Sequence, residues 1–319
     1  MTWLVTGGAG YIGAHVVRAM VENGTDVVAL DDLSTGAADR VRQAPLVEGS
    51  VLDRGLVDRT LAEHAVTGVV HIAAKKQVGE SVADPLKYYR ENVAGLVTLL
   101  EACRDAGADR FVFSSSAATY GLPDVDLVDE DVPGVPLSPY GETKLIGEWV
   151  MRDCAAAFGL RYMSLRYFNV AGAASADLGD PGIFNLIPMV FRELERGSRP
   201  KVFGNDYPTP DGTCIRDYVH VADIAAAHLA AAQALDDGAQ PATYNIGRGE
   251  GSSVLDVIEV IGKVTGLDAT PEFVDRRPGD PARIVAAVDR IRDGLGFTAT
   301  RDLENMVQSA WTAWRAARD

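Results

Sequence analysis

Thr6-Gly7-Gly8-Ala9-Gly10-Tyr11-Ile12-Gly13 is the stretch that decides the fold of this chain. It follows an apolar run at 3–6 and leads into 11–23, where apolar residues recur three and four positions apart, the spacing of a half-buried helix. Strand, glycine-rich turn and helix in that order open a βαβ unit. Gly7, Gly10 and Gly13 keep a G-x-x-G-x-x-G spacing. Glycine admits positive φ and lets backbone approach a pyrophosphate with no Cβ between them. The following helix start offers unpaired N–H donors and a partial positive charge to the same phosphates. A glycine triplet alone serves any tight turn; its place between strand and helix is what points to a dinucleotide.

Outward from this turn the alternation continues. Runs at 27–30, 68–72, 110–113 and 162–165 read as further strands, and 86–106 and 140–158 as helices. Strands alternating with helices imply parallel strands joined by crossovers, hence an α/β fold with a doubly wound parallel sheet of the Rossmann kind. Past about residue 170 glycine, proline, asparagine and aspartate become frequent, as in Gly204-Asn205-Asp206-Tyr207-Pro208-Thr209-Pro210-Asp211-Gly212. Apolar segments at 183–191 and 254–264 persist there, so the second part is a smaller, loop-rich α/β lobe. The expected division is 1–170 for the dinucleotide and 171–319 for the substrate, with the chain crossing back to the first lobe around 214–236.

Asp31 ends the second strand, 18 residues beyond Gly13, where a carboxylate can hydrogen-bond ribose hydroxyls. Its charge repels a 2′-phosphate, which favours NAD over NADP. Taken alone, Asp31 and Asp32 also read as an acidic turn before Ser34-Thr35-Gly36.

Composition sets limits on function. The chain has 319 residues, 47% hydrophobic and 24% charged, an ordinary globular balance. Its formal charge of −15, with no basic block, is the wrong sign for a surface that tracks nucleic-acid phosphates. The sequence has no apolar run of the roughly 20 residues that a membrane span needs, and no signal-like start. A cytoplasmic enzyme is therefore expected. Cys103, Cys154 and Cys214 are odd in number and far apart, and the five histidines lack H-E-x-x-H spacing, so neither a disulfide framework nor a metal centre is expected.

Ser138-Pro139-Tyr140-Gly141-Glu142-Thr143-Lys144 supplies the chemistry. Tyrosine and lysine four apart share one helix face, about 6 Å apart along the axis. An ammonium held near a phenol stabilises the phenolate, which makes Tyr140 a candidate base and Lys144 its tuner. Such a pair by itself describes many surface helices. Here Ser114-Ser115-Ser116 closes the strand at 110–113, and strand carboxyl ends face the ligand crevice in open α/β sheets.

With these motifs the sequence resembles the extended short-chain dehydrogenase/reductase family, and within it the UDP-sugar 4-epimerases. The resemblance runs through 6–15, 71–81, 113–121, 138–144, 166–173, 203–221, 244–257 and 276–280. Phe203-Gly204-Asn205-Asp206-Tyr207-Pro208 and Arg216-Asp217-Tyr218-Val219-His220-Val221 discriminate most, because they belong to the substrate lobe. The resemblance implies that Tyr140 takes the proton from the sugar 4-hydroxyl while Ser116 hydrogen-bonds that oxygen and Lys144 also holds the nicotinamide ribose. It implies NAD contacts at Tyr11, Ile12, Asp31, Asp32, Ser50 and Val51, and further along at Ala73, Ala74, Lys76, Asn92, Ser114 and Tyr167. Phe168, Asn169, Asn185 and Leu186 would meet the substrate, and Phe203 would lie beside the uracil. Arg216 and Arg277 would clamp the diphosphate and Asp280 would hold the uridine ribose. Without the resemblance, the two arginines also read as ion pairs and Phe203 as core packing.

The implied reaction is interconversion of UDP-galactose and UDP-glucose through a transient 4-keto sugar, with hydride held on bound NAD. Carbon 4 has no neighbouring carbonyl, so simple deprotonation cannot invert it; oxidation and re-reduction from the other face can. Dehydratases of this family carry an Asp-Glu pair where this chain has Ala117 and Ala118, which favours epimerisation. Ser50 falls where many members have aspartate near the adenine. Ile284 falls where residue size is thought to admit or exclude N-acetylated sugars, so a 4-epimerase of N-acetylated or other UDP-sugars stays an alternative, and a non-catalytic NAD sensor a weaker one. Apolar residues on several sides of 86–106 and 140–158, including Leu96, Leu99, Ile146 and Trp149, together with the resemblance, imply a homodimer.

Overall fold

Strands buried on both faces need continuous apolar runs, and the first half of the chain supplies them. The structure, a computed structural model, describes residues 1–277 and 279–318. In chain order its strands are β1 (Thr2–Thr6), β2 (Asp26–Asp31), β3 (Leu46–Glu48), β4 (Val66–His71), β5 (Arg110–Ser116), β6 (Arg161–Tyr167), β7 (Asn169–Ala171), β8 (Lys201–Phe203), β9 (Ile215–His220), β10 (Ala242–Ile246), β11 (Gly251–Ser253), β12 (Glu272–Val274) and β13 (Arg283–Ile284). The chain divides into two compact units. The first holds Met1–Gly121, Gly134–Tyr167 and Ala225–Tyr244, and the second holds Leu122–Pro133, Phe168–Ile224 and Asn245–Asp319.

The first unit is built on a seven-stranded sheet in the order β10-β6-β5-β4-β1-β2-β3. β1 pairs in parallel with both β2 and β4, and β5 in parallel with β4 and β6. Strand order therefore reverses beside β1, and the carboxyl ends there form the crevice typical of doubly wound sheets. Val28, Val69 and Phe111 on the strands meet Val57, Leu61, Leu96 and Leu99 on covering helices in one buried cluster. The sequence predicts one helix over 86–106. The structure divides it into Pro85–Tyr88, a π-helical turn at Tyr89–Ala94, and Gly95–Ala106. The π turn coincides with Asn92, whose side chain is drawn inward to bond the loop after β4 and helix Pro139–Phe158.

Helix Pro139–Phe158 has clear local causes. Ser138 caps it by accepting from Gly141 N at 3.2 Å, Pro139 occupies the first turn where no amide partner is needed, and Gly159 ends it at φ 76°.

In the second unit β9 is the hub, pairing with β7, β11 and β13. β8 and β12 form a separate parallel pair. Helices Leu186–Glu195, Val254–Thr265 and Leu303–Ala316 enclose a core of Ile187, Phe191, Val257, Ile261, Met306 and Trp314. The Asp217 carboxylate on β9 is fully buried and accepts from Arg248 N, Gly249 N and Ala286 N at 2.8, 2.9 and 3.2 Å, joining three segments. Among the described residues no helix is long and apolar enough to cross a membrane.

Candidate active site

The glycine turn is built around close approach. Gly7 sits at φ 69°, and a Cβ on Gly13 would lie 1.9 Å from the Gly7 carbonyl oxygen. The first turn of helix Tyr11–Glu22 packs on the turn backbone with no room for a side chain, and Gly10 caps that helix without a side-chain acceptor. A backbone surface at a helix start with no intervening side chain fits a dinucleotide pyrophosphate. Gly13→Ala should therefore lose NAD retention and lower the melting temperature by several degrees, since the neighbour is backbone and cannot swing aside. Cofactor content after gel filtration and thermal unfolding check both.

Asp31 is buried, and its two oxygens accept from Ala9 N at 2.9 Å and Leu33 N at 2.8 Å. Burial raises its pKa against those bonds. It ties the glycine turn to the end of β2, a structural duty the sequence reading did not foresee. Asp32 accepts from the Ser34 amide and hydroxyl at 3.0 and 2.6 Å. Ser50 accepts from Leu52 N at 3.2 Å, while Val51 is buried in the sheet-side core. After β4, Ala73 N donates to Thr6 O at 3.1 Å and leads through Ala74 to Lys76, whose ammonium lies 5.9 Å from the centre of the buried Tyr11 ring; Ile12 beside it is half-buried.

Asn92 is buried. Its carboxamide accepts from Lys75 N at 2.8 Å and donates to Lys75 O at 2.9 Å and Thr143 Oγ1 at 3.1 Å. It holds the loop after β4 by both backbone groups of one residue.

Ser116, Tyr140 and Lys144 come together at the carboxyl end of β5. The Ser116 hydroxyl lies near enough to the Tyr140 phenol to favour its phenolate, and its oxygen accepts from Ala118 N at 3.2 Å. Lys144 is buried and donates to Ser114 O at 2.8 Å, with its ammonium 6.0 Å from the Tyr140 ring centre. The expected depression of the phenol by lysine is not what this geometry gives. Burial raises the phenol despite the Ser116 hydroxyl, and burial lowers Lys144 to about 8. One N–H of the ammonium holds the Ser114 carbonyl, so Lys144 also has a positioning role. Beneath it, Tyr167 OH meets Ser114 Oγ at 2.5 Å and the His228 ring, a buried polar chain.

Glu148 and Arg166 escaped the sequence reading. Arg166 Nε and Nη2 donate to Glu148 Oε1 and Oε2 at 2.8 and 2.6 Å, Nη1 donates to Tyr120 OH at 2.8 Å, and Ser115 Oγ donates to Glu148 at 2.5 Å. Glu148 stands four residues beyond Lys144 and eight beyond Tyr140, on the same helical stripe. That spacing was the available signal for Glu148. Nothing local marks Arg166.

In the second unit Arg216 and Asp280 are brought together, Nη2 to Oδ1 at 2.9 Å. The Arg277 guanidinium lies 3.7 Å from the centre of the Phe203 ring. Asn185 donates to Asp180 at 2.8 Å; Leu186 packs against the helical core. Phe168 is buried, and Asn169 is the register partner of Tyr218 between β7 and β9. Ile284 on β13 is buried and pairs in register with Arg216.

Residues 3–247 match the model of the NAD dependent epimerase/dehydratase family. The chain is 48% identical to a UDP-glucose 4-epimerase of Azospirillum brasilense, over 96% of this chain and 90% of that relative. Among solved structures it resembles a UDP-glucose 4-epimerase of Brucella ovis in complex with NAD, with TM-score 0.93, 42% identity and 97% of each chain covered. It also resembles a UDP-glucose-4-epimerase of Stenotrophomonas maltophila with bound NAD and formylated UDP-arabinopyranose. There the TM-score is 0.95 and identity 39%, covering 100% of this chain and 99% of that one.

Proposed function

Because the chain belongs to the NAD dependent epimerase/dehydratase family, we propose that it interconverts UDP-galactose and UDP-glucose by transient oxidation at carbon 4. The observation that carries this reading is the junction of the Ser116 hydroxyl, the Tyr140 phenol and Lys144 at the carboxyl end of β5. Bound NAD supplies a hydride acceptor that returns the same hydride, so the cycle has no net redox change. Tyr140 takes the 4-hydroxyl proton and gives it back, and Ser116 holds that oxygen in line. Lys144, anchored on Ser114 O, fixes the helix stripe from which the phenol projects. The first unit is assigned the dinucleotide and the second the UDP-sugar. Arg216, Arg277 and Asp280 are assigned to the diphosphate and ribose, and Phe203 to the uracil. Each of these now has a partner within the second unit, so the ligand replaces one interaction with another instead of meeting a bare charge. Ser116 is followed by Ala117 and Ala118 in a short 3-10 turn, without the acid–base pair that elimination of water needs.

The protein is assigned to the cytoplasm, a reducing compartment in keeping with Cys103, Cys154 and Cys214 as free thiols. It is further assigned a homodimeric state. Leu96 and Leu99 are buried, but Val97 on Gly95–Ala106, Leu86 on Pro85–Tyr88 and Trp149 on Pro139–Phe158 are exposed apolar side chains that a second copy can cover.

Purified protein incubated with UDP-galactose, and neither oxidant nor reductant added, should form UDP-glucose. Failure to do so, with NAD demonstrably bound, overturns the reading. UDP-N-acetylgalactosamine in a parallel reaction should turn over more slowly.

A further inference from the structure

Lys75 lies four residues past β4, and Asp32 immediately follows β2, so the two belong to loops on opposite sides of β1 and its glycine turn. Both loops touch that turn at their bases. A Cβ on Gly7 would stand 2.7 Å from Ala73 N, and one on Gly36 would stand 2.8 Å from the Ala9 carbonyl carbon, while Ala37 N donates to Ala9 O at 3.2 Å. Between them the Lys75 ammonium donates to Ser34 Oγ at 3.0 Å and sits 3.7 Å from Asp32. The contacts thus close a ring: glycine turn, loop after β4, Lys75, loop after β2, and back to the turn. The ring spans the crevice at the carboxyl ends of β1, β2 and β4.

We propose that Lys75 is the pin of a clasp that retains the dinucleotide, so that the cofactor leaves only when the Lys75–Ser34–Asp32 bridge opens. The proposal rests on the reading of this crevice as the NAD site. Two features suit the residue to the task. Asn92 holds both backbone groups of Lys75, so the side chain departs from a fixed point rather than a mobile loop. Asp32 remains an anion at the other end: burial works against the charge, but the Ser34 hydroxyl and amide and the Lys75 ammonium hold its carboxyl below the usual value. An epimerase that returns its hydride in every cycle gains from such retention, because the reduced cofactor must not leave before the keto sugar has turned.

The bridge is partly exposed, which bounds its strength and makes it sensitive to salt. Protein loaded with labelled NAD is freed of excess by gel filtration, and release is followed in a chase of unlabelled NAD at low and high salt. Lys75→Met should release NAD about three- to tenfold faster at low salt. Wild-type release should quicken as salt rises and that of the variant should not, and Lys75→Arg should restore slow release. Asp32→Asn keeps the ammonium and removes its anchor, so it too should speed release. Equal rates for wild type and Lys75→Met overturn the clasp. So does fast release confined to Lys75→Met, because the ammonium then acts on the phosphates directly. Wild-type protein that carries no NAD at all instead overturns the cofactor reading on which the clasp depends.

Discussion

Tyr140→Phe should keep its NAD and lose turnover of UDP-galactose by about a thousandfold, inside the ~10²–10⁴ range of a positioned acid–base group. The substitution removes one oxygen. The ring, the helix and the lysine anchor on Ser114 O remain, so the cofactor site loses nothing it is built from. Only the group that accepts the 4-hydroxyl proton is gone, and the Ser116 hydroxyl keeps its bond from Ala118 N without a phenol beside it. Cofactor content after gel filtration and kcat at saturating UDP-galactose separate the two effects. Near-normal turnover with NAD bound would remove Tyr140 from the chemistry. Loss of NAD together with turnover would instead assign the phenol to the cofactor site alone.

Much of this arrangement is legible in the sequence because it is local. The glycine turn, β1 and helix Tyr11–Glu22 follow from the consecutive residues Thr2–Glu22, whose spacing, steric needs and periodicity agree. Tyr140 and Lys144 share a face because helix geometry requires it. What stayed hidden depends on partners distant in the chain. Helix Arg54–Glu63 buries little beyond Val57, Thr60 and Leu61 among charged neighbours, too thin a stripe to read as a helix. The π turn at Tyr89–Ala94 has no sequence mark of its own; it accompanies Asn92 reaching back 17 residues to Lys75. The assignment of Asp31 to ribose rested on its place after β2, but the carboxylate is also the acceptor for the Ala9 amide, a bond visible only once the turn is folded. The sequence can mark Arg216 and Asp280 as charged; that they pair across 64 positions, Asp280 lying just before β13 where it joins β9, is a fact of the folded chain.

The pair formed by Glu148 and Arg166 carries the second large effect. Arg166→Met should lower stability by about 3–5 kcal/mol, because it strands a carboxylate that remains buried. Both side chains are almost wholly enclosed, at 8% and 9% exposure, and the remaining contact of Glu148 in this cluster, from the Ser115 hydroxyl, cannot neutralise it. A fall of about 10 °C in melting temperature is the expected reading by circular dichroism. Arg166→Met combined with Glu148→Gln removes both charges and should recover most of that loss, since paired buried ions contribute little beyond what their removal exposes. Activity should not follow. The bidentate bridge joins the stripe of Tyr140, Lys144 and Glu148 to β6, and the Ser115 bond joins it to β5 between the residues that meet Lys144 and Tyr140. With the bridge gone, the double variant should melt near wild type yet turn over about tenfold more slowly, with KM little changed. Full recovery of kcat alongside stability would make the pair a matter of folding alone; a kcat that stays low in a stable protein makes it the device that sets the phenol against the Ser116 hydroxyl.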